Sequence, residues 1–236
     1  VLVLAKAPVA GQAKTRLCPP ATPADAARIA AAALLDTLDN AAGVAHARVM
    51  VAWTGELADA EAGDELARAL ADTEVFPQCA GELGQRIAAA HLEVARRAPG
   101  SAVLQIGMDT PQIDAGALTA ALARLHGRSA AGGPAAPGAG RPDAVLGPAL
   151  DGGWWALGLH DPARASVLAD VSMSRPDTGT LTWQALSTSG LTVEALPEAR
   201  DVDTAADAQV VAAEAGHGRF AAEVRTRLGL LTGGPW

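Results

Sequence analysis

The sequence predicts an α/β protein, a mainly parallel sheet with helices on both faces, and three observations predict it. Short β-branched runs alternate with alanine-rich stretches along the 236 residues. Half of the residues are apolar, which suffices for a full core in one domain of this length. The segments rich in glycine, aspartate or basic residues fall where strands should end, the place where open α/β sheets carry their ligand-binding loops.

Strands are expected near Val1 to Ala5, Ala47 to Trp53, Glu74 to Phe76, Ala102 to Ile106, Asp143 to Leu146, Trp154 to Leu159 and Leu191 to Ala195. Helices fill most of the gaps. The first follows a basic loop, with Thr22 as N-cap, Pro23 at the first helical position and Ile29, Leu34, Leu35 and Leu38 as its buried stripe. Asp114 and Thr204 are N-cap candidates for later helices. The segment 129–142 is dense in glycine and proline with almost no side chain able to pack, so a flexible loop is expected there. Too few strand-like segments follow it to build a separate core, and no internal repeat occurs. Residues 1–236 therefore read as a single domain.

A net charge of −8 argues against nucleic acid or an anionic membrane as the main partner, since either would want a basic face. Two cysteines, Cys18 and Cys79, are too few for a disulfide framework or a four-ligand zinc site. The cytoplasm is the expected compartment. The opening apolar run is broken by Lys6 and Pro8, too early for a signal-peptide core, and no stretch approaches a membrane span. The chain opens without methionine, so a few residues are expected before Val1, lengthening only the first strand.

Only two lysines occur, Lys6 and Lys14, both in the loop after the first strand, while positive charge elsewhere is arginine. There Lys6, Lys14 and Arg16 can converge on phosphate oxygens, and Gly11 allows close backbone approach. The loop is not a Walker A sequence, because Ala13 stands where glycine is required, and it is not G-x-G-x-x-G. The second segment, Val103 to Pro111, is an apolar strand ending in Gly107 and Asp109, a carboxylate able to hold a hard divalent cation against a phosphate. Asp before Thr-Pro is also a routine turn former. The third, Gly147 to Leu159, sets Asp151 beside Gly152, Gly153, Trp154 and Trp155, a carboxylate next to flat apolar surface. Its plainer reading is a hairpin turn with tryptophans in the core. In the fourth, Asp201 to Asp207, Asp203 could complete a metal site, while Thr204 and Asp207 read as helix-start residues. The five histidines show no paired metal spacing, and no G-x-S-x-G elbow occurs.

Five motifs in order carry a resemblance: A-K-A-P-V-A-G-Q-A-K-T-R-L at residues 5–17, F-P-Q at 76–78 with G-E-L-G-Q-R at 81–86, G-M-D-T-P at 107–111, G-P-A-L-D-G-G-W-W-A-L-G-L at 147–159, and D-V-D-T at 201–204. From Val1 to about Val211 the chain resembles a bacterial family of GT-A-fold transferases, the radical-SAM/selenodomain-associated transferases, some labelled arsenosugar-biosynthesis glycosyltransferases. It is similar also to molybdenum-cofactor-type nucleotidyltransferases and phospholactate guanylyltransferase. The resemblance implies a nucleotide-diphospho-sugar transferase-like, Rossmann-type three-layer sandwich. It places Ala5, Lys6, Gly11, Lys14, Arg16, Gly81, Gly84 and Arg86 around a nucleotide, and Asp109 with Asp203 on Mg²⁺ or Mn²⁺. Typical members have Ser-Asp-Cys-Pro where this chain has Met108 to Pro111, and Tyr-Tyr in place of Trp154-Trp155, which implies a differently shaped acceptor pocket.

The expected activity is metal-dependent transfer from a nucleotide-activated donor to a small acceptor, with glycosyl transfer first. Lys14, Asp109 and Asp151 are its catalytic candidates, and Gly152, Gly153 and Trp154 its acceptor contacts. The alternatives are nucleotidyl transfer with release of pyrophosphate, and a non-catalytic nucleotide- or partner-binding module.

Overall fold

Among the described residues, seven strands form one sheet in the order β3-β2-β1-β4-β6-β5-β7. They are β1 (Leu2–Lys6), β2 (Met50–Thr54), β3 (Glu74–Pro77), β4 (Val103–Ile106), β5 (Ala144–Pro148), β6 (Trp154–Leu159) and β7 (Val193–Ala195). The computed structural model describes residues 1–128 and 140–229. The loop expected at 129–142 lies, but for its last three residues, outside the described residues. All pairings are parallel except those of β6, which runs against both β4 and β5. The chain moves outward from β1 to β2 and β3, then returns to place β4 on the other side of β1. The switch point thus lies between the carboxyl ends of β1 and β4, where a crevice is expected.

Alternation along each strand divides the core between the two faces. Val3 and Ala5 face α1 (Pro23–Ala42), α2 (Gly63–Ala71) and α4 (Ala115–Leu125), packing with Leu34, Leu38, Leu66 and Leu118. Leu2 and Leu157 face α3 (Leu83–Arg97) and α5 (Thr178–Thr188), meeting Ile87, Val94, Leu168 and Leu186. The result is three layers. A smaller core on the outer side of α1 gathers Ile29, Val211 and Phe220 with α6 (Ala205–Ala215) and α7 (Arg219–Leu228).

The helix starts follow the sequence. The Thr22 hydroxyl accepts a hydrogen bond from the Asp25 amide while the Asp25 carboxylate accepts one from the Thr22 backbone N–H, and Pro23 opens α1. Asp114 caps α4, and Thr204 with Asp207 forms a second reciprocal cap on α6. Strand boundaries move by a few residues. β5 runs on to Pro148 because a register shift between Gly147 and Pro148 accommodates a residue with no N–H.

Candidate active site at the strand ends

Four loops meet beyond the carboxyl ends of β1, β4, β5 and β7, and the reversal of β6 makes the one after β5 a hairpin. Because β6 is antiparallel, the 149–153 hairpin turns at the same end of the sheet as the loops after β1 and β4. The chain leaving β7 then runs back beside the hairpin, with Ala199 bridged to Ala149, and the Val202 amide donates to the Asp109 carbonyl at 2.9 Å. Residues 201–203 are thereby fastened to the loop after β4.

Lys14 reaches across this junction. Its Nζ lies 2.8 Å from Asp109 Oδ2, with the lysine side chain 17% exposed. Arg16 extends to Asp203 at 2.5 Å and is far more open, at 74%. Lys6 Nζ donates instead to the Gln12 carbonyl at 3.3 Å, which braces the loop. Ala5 is buried, and its carbonyl accepts from Gln78 Nε2 at 2.9 Å. Gln78 also ties down the Ala52 carbonyl and accepts from Arg86 Nη1, so Arg86 is held at the ends of β1 and β2. Its Nε is buried and, among the described residues, has no partner.

Two cavities of about 300 Å³ each flank Asp109. The outer one is lined by Lys6, Lys14, Arg16 and Asp203, with Met108 and Asp109 in its wall. The inner one, on the α3 face, is lined by Leu4, Ile87, Gln105, Asp151, Trp154 and Asp201 and shares Met108 and Asp109. The outer cavity suits an anion and the inner one a group with an apolar face. A larger cavity of about 910 Å³ opens at the opposite end of the sheet, beside His46, His126 and His160. Among the described residues its lining holds no carboxylate, and it lies away from the strand-end loops.

The carboxylates crowd one another. Burial raises the Asp201 pKa to about 6, and the charges of Asp109 and Asp151 add to the rise while Lys14 opposes it. Asp201 was not among the residues singled out from sequence. The repeated aspartate in Asp201-Val-Asp203 is the sequence signal that points to it. In the structure Asp203 is engaged by Arg16 in the outer cavity, whereas Asp201 faces Asp109 and Asp151 in the inner one. Asp201 therefore stands with Asp109 in the inner cavity, and Asp203 shares the outer one with it.

The other residues singled out by the sequence also have local structural roles. Glu82 and Gln85 form the reciprocal cap of α3, and a Cβ on Gly84 would sit 2.3 Å from the Leu168 carbonyl oxygen, so Gly84 is a packing residue. Gly81 has φ +117°, a backbone turn ahead of that cap. Gly152 combines φ +87° with a hydrogen bond from the Gly179 amide, and a Cβ there would overlap the Pro176 carbonyl. Gly153 donates to Asp151 Oδ1 at 2.7 Å. Both glycines shape the hairpin, while Asp151 and Trp154 line the inner cavity. Trp154 donates its indole N–H to Thr182 at 3.1 Å, which fixes the ring. Gly11 turns the lysine loop at φ +75° with open space beside it.

Among the described residues, no three His, Cys, Asp or Glu side chains gather into a metal-binding group. The acidic pair does suit a Mg²⁺-type ion, which takes one or two protein carboxylates and completes its shell with substrate oxygens and water.

This sheet and crevice are those of the nucleotide-diphospho-sugar transferase fold. The chain is 24% identical, with a TM-score of 0.78, to a protein from Desulfovibrio desulfuricans provisionally described as a nucleotide-diphospho-sugar transferase, over 95% of this chain and 93% of that one. It is 16% identical, TM-score 0.54, to a cytidylyltransferase from Leptospira borgpetersenii serovar Hardjo-bovis, over 100% and 97% of the two chains. A CMP:2-keto-3-deoxy-manno-octonic acid synthetase complexed with CTP matches at 12% identity and TM-score 0.54, over 91% and 97%. The chain belongs to the family of uncharacterized proteins conserved in bacteria (DUF2064), whose model matches residues 37–175. No match is found among curated proteins. No helix among the described residues is long and apolar enough to cross a membrane.

Proposed function

We propose that the protein is a metal-dependent transferase that takes a nucleotide-activated donor and passes a glycosyl group to a small acceptor. The observation that carries this reading is the meeting of Lys14 and Asp109 at 2.8 Å between two cavities, one basic and one acidic with an apolar wall. The outer cavity would take the donor phosphates. Lys14 and Arg16 would stabilise negative charge developing on the departing diphosphate, an electrostatic contribution preorganised by the loop. Asp109 and Asp201 would hold Mg²⁺ or Mn²⁺, which supplies further charge neutralisation at the phosphates when bound. Asp151, exposed at the mouth of the inner cavity, would orient the acceptor hydroxyl and take its proton.

The resemblance to radical-SAM-associated transferases favours glycosyl transfer. One feature favours a second reading: Lys6, Lys14 and Arg16 all line the outer cavity, enough cations for a triphosphate in nucleotidyl transfer. The products separate the two readings, a nucleoside diphosphate from a sugar nucleotide against pyrophosphate from a nucleoside triphosphate. The test is calorimetric titration of nucleoside triphosphates, nucleoside diphosphates and common sugar nucleotides, with and without Mn²⁺, on wild type and Asp109→Asn. Selective, metal-dependent binding lost in the variant is the expected result. No binding across the series would overturn the reading in favour of a non-catalytic module.

A further inference from the structure

β4 carries Gln105 on its α3 face, between Leu2 of β1 and Leu157 of β6. Only 3% of this residue is exposed. A carboxamide among leucines destabilises the fold unless its polar atoms are matched. One match is His91 of α3, itself fully buried, whose Nε2 lies 2.8 Å from Gln105 Oε1.

The direction of that bond follows from the other ring nitrogen. His91 Nδ1 is sealed and, among the described residues, has no partner. A proton on Nδ1 would leave a buried N–H without an acceptor, so the proton sits on Nε2 and the imidazole donates to Oε1. Burial also pushes the His91 pKa down to about 4, which keeps the ring neutral with that single donor near neutral pH.

With Oε1 committed, the amide nitrogen is the free end. Among the described residues nothing accepts from Gln105 Nε2, yet this atom is not one of the sealed, unmatched ones. Gln105 lines the inner cavity, so its residual access opens there. Around it the walls are apolar, from Leu4, Ile87, Met173 and Trp154, while Asp109, Asp151 and Asp201 stand at the acidic side. Among the described residues the lining holds one guanidinium, that of Arg175, and it is paired with Asp177. Three carboxylates disfavour an anionic group but offer acceptors to hydroxyl protons.

We propose that Gln105 is a specificity-determining residue: its carboxamide, oriented by His91, donates a hydrogen bond to an uncharged oxygen of a neutral, hydroxyl-bearing group in the inner cavity. His91 is the positioning residue. The inference rests on reading that cavity as a substrate site, and its test uses no nucleotide, so it fails independently of the donor assignment.

The test is nitrogen-15 NMR of the whole chain, with the Gln105 side-chain signals assigned by their loss in Gln105→Met. Before any ligand is added, His91 should show the Nε2–H tautomer and remain neutral as the pH falls to about 5. An Nδ1–H tautomer would overturn the proposal, because Gln105 would then donate to His91 and turn its carbonyl to the cavity. D-Glucose and D-glucuronate are then titrated as probes at matched high concentration. Glucose should shift the Gln105 NH₂ pair, and Gln105→Met should weaken glucose binding, read at the Trp154 indole N–H, by about tenfold. A Gln105 signal that ignores glucose, that responds equally or more strongly to glucuronate, or an affinity unchanged in Gln105→Met, would sink it.

Discussion

Lys14 adopts φ 47° and ψ 43°, a left-handed conformation that a long side chain occupies at a cost of about 1 kcal/mol. The strain aims Nζ across the crevice at Asp109, and the loop keeps a geometry that its own backbone opposes. Phosphate binding would have to draw Lys14 from Asp109 while a cation replaced it, so the two ligands should bind cooperatively. Lys14→Ala should lower kcat by roughly a hundredfold, near 3 kcal/mol, measured with whichever donor the calorimetry identifies. Retention of most activity would remove Lys14 from the mechanism. Asp201 and Asp203 part company in the same assay: Asp201→Asn should abolish metal-dependent binding, while Asp203→Asn, which only frees Arg16, should weaken it modestly. Equal effects would contradict the assignment of Asp201 as the partner of Asp109. That Lys14, Arg16, Asp109 and Asp151 gather at the strand ends was legible from sequence, because each lies in a loop that follows a strand and breaks a local pattern. Asp201 and Gln105 were not, since burial beside other carboxylates and a carboxamide's direction are tertiary facts. Nothing in Val103-Leu-Gln-Ile106 says which face its glutamine takes until β4 is paired.

At the scale of elements, seven strands and the capped helices α1, α4 and α6 could be read along the chain, because alternation, Thr22-Pro23, Asp114 and Thr204 are local signals. The direction of β6 could not, since a strand in the middle of a mostly parallel sheet has the same apolar pattern either way. The motif at 81–86 likewise has local structural duties that its sequence does not spell out. Glu82, Gly84 and Gln85 are spent on starting α3 and on its approach to Leu168, leaving Arg86 as the member that reaches the strand ends. Gly84→Ala should therefore destabilise the protein by roughly 1–3 kcal/mol, as backbone must move to admit a methyl group. Urea unfolding checks this, and an unchanged midpoint would show that the helix has slack to shift.

For the molecule as a whole, a buried group and a half-buried one bend the pH dependence of stability in opposite senses. The His91 pKa falls from 6.5 to about 4, so between these values the unfolded chain binds more protons and stability declines as pH drops, by about 3 kcal/mol in full. The Asp201 pKa rises from 3.8 to about 6, so the folded state binds more protons and stability grows over nearly the same interval. The opposing slopes partly cancel in the wild type. Asp201→Asn should unmask the histidine, giving a steeper loss of stability from pH 6.5 down to 4 in urea titrations, and a profile no steeper than wild type would contradict the balance. The single reversed strand bears also on how the chain is made. Synthesis delivers β1 to β4 first, and these can pair as they emerge, but the free side of β4 is closed only by β6. β5 appears before β6 and has no place beside β4, so the hairpin must form and dock as a unit. Until Leu159 has left the ribosome, the backbone of Val103 to Ile106 is an open seam in an apolar sheet, and a chain interrupted before that point would offer it to any neighbour.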